Sequence, residues 1–99
     1  MLYLSCAMTV QSADPIHSLN YAYALTLDED AGRASDDFGA YLITPYVDGR
    51  GYAWEVQWPA NGPVVWATRY ELDTTTLRLW VRDWSDAGSG TSNGACVSG

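Results

Sequence analysis

Residues 74–85, TTTLRLWVRDWS, can be read in two ways, and the choice between them decides the fold. With a period of two, Leu77, Leu79 and Val81 share one face of a strand. With a period of 3.6, Leu77, Trp80, Val81 and Trp84 fall at i, i+3, i+4 and i+7, a compact apolar helical stripe. Asp73 or Thr74 is placed to cap the start of such a helix, and Gly88 to end it. Arg82 and Asp86 have the spacing of an i, i+4 pair. The β-branched run Thr74 to Thr76 favours a strand, but at a helix start its hydroxyls serve as caps. The spacing predicts a short helix over 74–85.

The sequence upstream alternates. Tyr52, Trp54, Val56 and Trp58 share one face of 51–58, opposite Ala53, Glu55 and Gln57. Val64, Trp66, Thr68, Tyr70 and Leu72 do the same over 64–72, and 39–47 is strand-like with Tyr41, Ile43 and Val47. Pro45 lacks an N–H for a ladder, so that strand is expected at an edge or bulged. Asp48-Gly49 and Asn61-Gly62 suit tight turns, and 39–72 therefore reads as a three-stranded meander. Further upstream, Leu19, Tyr21, Tyr23, Leu25 and Leu27 line one face of a strand. Between it and the meander, 28–37 (DEDAGRASDD) is polar and reads as a loop. Gln11 to His17 is a second loop, containing Asp14-Pro15. Residues 2–10 are apolar without a clear period and read as a first strand; they lack the basic flank of a signal peptide and are too short to span a bilayer. Downstream, 87–99 is rich in Gly and Ser and reads as a flexible tail after a single globular domain at 1–86.

The expected fold is therefore α+β and mainly antiparallel β. It has one small sheet of four to five strands, the meander 39–72 included, with a short C-terminal helix packed on it. An all-β barrel or sandwich is the alternative. Ninety-nine residues with 47% apolar content support one core, and five Trp and seven Tyr supply much of it. Trp54, Trp66 and Trp80 are expected inside. Trp80 and Trp84 of the helix then cover the sheet's aromatic stripe.

Twelve acids against five Arg give a net charge of −7. Phosphate repels such a domain, so direct nucleic-acid binding and anionic membranes are disfavoured, and a basic protein is the partner its field steers in. Cys6 and Cys96 lie near opposite ends of the chain. They form either one bridge or two free thiols; spacing does not specify which, and free thiols are the preferred reading, with a cytoplasmic location.

No catalytic or metal motif is present. The single histidine, His17, has no nucleophile motif around it. There is no Cys-x-x-Cys, and Asp28-x-Asp30-x-Gly32 lacks the spacing of a calcium loop. Glu55 reads as solvent-facing, and Arg69 with Glu71 as an exposed pair. No enzyme activity and no cofactor are expected. What remains is the acidic stretch, with Asp28, Glu29, Asp30, Asp36 and Asp37 as the candidate protein-binding residues. A cluster of that kind can imitate phosphates in a basic groove.

In type, though in no specific residue, this small, acidic, aromatic-rich and motif-free profile resembles phage-encoded inhibitors of bacterial defence, anti-CRISPR proteins among them. The resemblance implies a non-catalytic inhibitor that occludes a basic, nucleic-acid-binding surface of its partner. The alternative is a small ligand- or carbohydrate-binding β-domain. Buried rings with an acidic face favour the first, and exposed rings favour the second.

Overall fold

The computed structural model describes residues 1–11, 20–46, 50–58, 63, 65–85 and 88–98. They form nine strands: β1 (Leu2–Gln11), β2 (Asn20–Asp28), β3 (Arg33–Asp36), β4 (Gly39–Leu42), β5 (Thr44–Tyr46), β6 (Gly51–Trp58), β7 (Trp66–Asp73), β8 (Arg78–Ser85) and β9 (Gly88–Ser98). All pairs are antiparallel, in the order β4-β3-β2-β1-β9-β8-β7-β6-β5. The two strands at the ends of that order are consecutive in the chain, with only Ile43 between them. Ile43 N donates to Gly32 O at 3.1 Å, and the next residue, Thr44, pairs with Ala53 of β6. The run 39–46 thus leans on β3 with its first half and on β6 with its second. The sheet curls into a nearly closed barrel, which leaves little edge unpaired.

Alternation aims one face of every long strand inward. In β1, Leu4, Cys6 and Met8 are buried while Tyr3, Ser5, Ala7 and Thr9 are exposed. With Leu25, Leu27, Leu72, Leu79, Val81 and Trp54 they make up the core. Cys6 and Cys96 face each other across β1 and β9 and form a disulfide, with Cα atoms 3.9 Å apart. Cys96 N donates to Leu77 O at 2.7 Å, so its backbone polar groups point away from β1. The Cys6–Cys96 pair is therefore of the non-hydrogen-bonded kind, in which side chains approach most closely. The bridge ties the first strand to the last.

Several expectations are corrected. The expected α+β fold, a sheet of four to five strands with a C-terminal helix, gives way to the all-β barrel alternative: the described residues form nine antiparallel strands and contain no helix. Asp73 does cap the following turn: its Oδ1 accepts from Thr75 N at 2.8 Å and Thr76 N at 3.1 Å, and Leu77 N donates to Asp73 O at 2.8 Å. The turn ends at once, because Leu77 takes a left-handed backbone with φ 57°, and β8 begins at Arg78. The apparent helical stripe mixed two strand faces: Leu79 and Val81 point in, Trp80 and Trp84 point out. Residues 88–98, expected as a tail, are β9, hydrogen-bonded to β1 on one side and β8 on the other. Their small side chains suit that place. A Cβ on Gly94 would come within 2.0 Å of Ala7 O, where only glycine fits.

The loop expected over 28–37 contains β3. Trp54 is buried at 3% exposure, but Trp66 at 38% and Trp80 at 36% are not core residues. The meander holds for β6 and β7, but its expected first strand, 39–47, divides: Gly39–Leu42 pairs with β3 and only Thr44–Tyr46, with Pro45, pairs with β6 at one end of the sheet order. The Asp48-Gly49 and Asn61-Gly62 turns, the Asp14-Pro15 loop, His17 and Asp86 lie outside the described residues. No helix among the described residues is long and apolar enough to cross a membrane.

Candidate functional site

Strand parity builds a pattern on the outer wall of β6–β9. One cross-strand row runs Glu55, Arg69, Arg82, Thr91. The row on one side runs Ala53, Glu71, Trp80, Asn93, and the row on the other runs Gln57, Ala67, Trp84, Ser89. Arg82 therefore sits between two indoles on its own strand and faces a second guanidinium across it. Trp80 is 36% and Trp84 50% exposed. The small residues Ala67 and Thr91 leave hollows beside the large ones. One groove, of about 400 Å³, is walled by Trp80, Glu71, Thr91 and Asn93. A second, of about 370 Å³, is walled by Trp84, Glu55, Gln57 and Ala67. Arg69 and Arg82 line both, forming the ridge between them.

The polar groups are partly engaged. Arg69 Nε donates to Glu71 Oε1 at 2.9 Å, the exposed pair that alternation predicts. Gln57 Nε2 donates to Glu55 Oε1 at 3.0 Å, and Arg78 Nη2 donates to Asn93 Oδ1 at 3.2 Å. Among the described residues the Arg82 side chain has no hydrogen-bond or ion-pair partner, although its backbone lies in both ladders. Like charges directly opposite on adjacent strands destabilise a sheet, so this juxtaposition works against the fold and calls for another explanation.

The inner wall is organised differently. Asp36 accepts from Tyr23 OH at 2.5 Å, Tyr41 OH at 3.3 Å, Phe38 N at 2.8 Å and Gly39 N at 3.2 Å. Tyr70 stacks between Tyr23 and Trp54, with centroid distances of 5.6 and 5.3 Å. Burial, then the hydrogen bond to Asp36, pushes the Tyr23 hydroxyl well above the ordinary phenol range. Burial, then the Asp36 and Asp83 charges, raises Tyr70 to about 12. Both phenols stay neutral at physiological pH, and the Tyr23 and Tyr41 hydroxyls together with the Phe38 and Gly39 amides fill the acceptor capacity of Asp36. The cluster is scaffolding, with one loose end: Trp54 Nε1 is buried without a partner among the described residues.

The five acids singled out in the sequence are not gathered into one patch. Asp28, Glu29 and Asp30 lie together at the end of β2 and in the turn after it. There Asp28 Oδ1 accepts from Ala31 N at 3.1 Å, and Glu29 Oε2 from Tyr52 OH at 2.7 Å, which raises the Tyr52 pKa. Asp36 ends β3, turned inward onto the tyrosines, and Asp37 is exposed beside it. Among the described residues no group of three or more His, Cys, Asp and Glu is placed to hold a metal ion.

The outer-wall residues form a candidate site that the local sequence does not single out. Their signal was present: Trp80, Arg82 and Trp84 alternate at a period of two, visible once 78–85 is taken as a strand. Compared with protein-family models, curated proteins and solved structures, the chain matches none.

Proposed function

We propose that this chain is a non-catalytic carbohydrate-binding β-barrel domain, whose ligand lies across the outer wall of β6–β9. The observation that carries this reading is the exposure of Trp80 and Trp84 on one face, each walling a groove that it shares with the Arg69–Arg82 ridge. Exposed indoles are costly to leave in water and mark surfaces that bind. Grooves of this size take one or two sugar rings, whose apolar faces stack on indole while their hydroxyls meet side-chain amides and carboxylates. Asn93, Gln57, Glu55 and Glu71 supply those polar groups at the groove walls.

The Cys6–Cys96 disulfide supports an oxidising compartment over the cytoplasm expected from sequence, and extracellular glycans are found on that side. The other reading, an inhibitor docking its acids on a basic protein, keeps the exposed Glu29 and Asp30 in its favour. It has less support, because Asp36 is committed to the interior.

Titration of the protein against a panel of soluble neutral and acidic polysaccharides tests the proposal, with tryptophan fluorescence and calorimetry as readouts. Trp84→Ala is expected to weaken binding at least tenfold, about 1.4 kcal/mol, while leaving the melting temperature unchanged. A panel in which nothing binds the wild type overturns the proposal.

A further inference from the structure

We infer that the sugar bound on this face is acidic, a uronate whose carboxylate bridges Arg69 and Arg82. The inference rests on the carbohydrate reading above and names the chemistry of its ligand. In a chain of twelve acids, three of the five Arg (69, 78 and 82) sit on one wall, two of them directly opposite each other. Arg69 is shared with Glu71 through Nε, and both its Nη groups remain for another acceptor. The Arg82 side chain has no partner among the described residues although acids outnumber bases more than two to one. A planar carboxylate placed between two guanidinium forks receives paired N–H donors from each side, a geometry that suits arginine and carboxylate. Such an anion also offsets the like-charge contact between Arg69 and Arg82.

The position of the ridge fits a sugar acid better than a free anion. Trp80 and Trp84 lie on either side of Arg82 along β8, so a charged group on the ridge leaves a ring surface in each groove. A uronate oligomer offers that sequence of parts: sugar faces for the indoles, with carboxylates between them. The net charge of −7 opposes a polyanion at long range, but screening at physiological ionic strength confines that opposition to about 8 Å. Glu55 and Glu71 line the same grooves and balance the local charge, so the contact rests on the directed N–H donors of Arg82 and of the Arg69 Nη groups rather than on net charge.

The test compares oligogalacturonate and alginate oligomers with the methyl ester of the same galacturonate oligomer, in which each carboxylate becomes a neutral ester on an unchanged sugar backbone. Dextran sulfate serves as a second anion. The wild type is expected to bind an acid oligomer at least tenfold more tightly than the ester or dextran sulfate. Arg82→Gln is expected to abolish that preference, and to leave the melting temperature of the free protein equal or raised because a like-charge contact is gone. A residue with a purely structural role would lower it. Equal affinity for acid and ester overturns this inference and leaves the carbohydrate reading standing. Dextran sulfate bound as well as the uronates overturns the choice of a carboxylate. No binding to any glycan, neutral or acidic, overturns both.

Discussion

The two faces of the β6–β8 wall use the same residue type for opposite ends. Inside, Trp54 is 3% exposed and its ring stacks on Tyr70 at 5.3 Å; outside, Trp84 is 50% exposed and touches a groove. Hydrophobicity does not separate them, since both are indoles on alternating strands of one sheet. Parity does: Trp54, Tyr70 and Val81 belong to one cross-strand row inside, while Ala67 and Trp84 belong to a row outside. The inner face is a packed set of leucines, rings and a disulfide in which every member depends on its neighbours. The outer face holds large side chains beside small ones, leaving hollows. One face holds the core, and the other holds the grooves of the proposed site.

The contrast can be broken most severely from the inside. Replacing Cys6 and Cys96 together with Ala opens a loop of sequence separation 90, for which the chain-entropy model gives a loss of up to about 4–5 kcal/mol. Denaturant unfolding of the variant, or of the wild type with and without reductant, measures it; an unchanged midpoint would show that β1 and β9 hold without the bridge. Trp54→Ala removes a buried ring between β5 and β7 and should cost about 3–5 kcal/mol in the same assay, most of the margin of a domain this size.

A chemical perturbation of the inner face comes next. Burial raises Tyr70 from 10.0 to about 12, so its neutral form is favoured in the folded state. Its contribution is therefore complete below pH 10 and is lost as pH rises through about 12. Unfolding followed from pH 8 upward should coincide with tyrosinate absorbance in that upper window, and Tyr70→Phe should move the transition. The smallest effect belongs to the outside: Trp80→Ala should shift stability by about 0.5 kcal/mol or less, as for an exposed residue outside any network. A loss comparable to that of Trp54→Ala would erase the distinction between the faces.

Much of the barrel is legible in the sequence where alternation is unbroken. The faces of β2, β6 and β7 and the Arg69–Glu71 pair follow from parity alone. β1 was harder to see: Leu2, Leu4, Cys6, Met8 and Val10 do alternate, but Ala7 and Tyr3 between them blur the contrast. The candidate site is not legible locally, because the spacing of residues 74–85 also fits a helix. Asp73 and the threonines after it make a true capping turn, and nothing local states that the turn stops after one round. What stops it is Leu77, held left-handed while its carbonyl accepts from Cys96 N and its side chain packs on the core. A leucine in that conformation costs on the order of 1–2 kcal/mol, which only tertiary contacts offset.

What the chain determines by itself is the period of each segment and therefore which residues can share a face. It also determines that catalytic motifs are missing and that acids exceed bases. Whether Gly88–Ser98 is a tail or the strand that closes the barrel is not a local property, since glycine and serine carry almost no strand propensity of their own. That segment is ordered by hydrogen bonds to β1 and β8 on its two sides and by room for nothing larger than Gly94 beside Ala7. Once β9 is in place, β8 has a partner on each edge and must be a strand. Its parity then turns Trp80, Arg82 and Trp84 outward together, because hydrogen bonding between distant segments selects the strand period over the helical one that the local sequence favours.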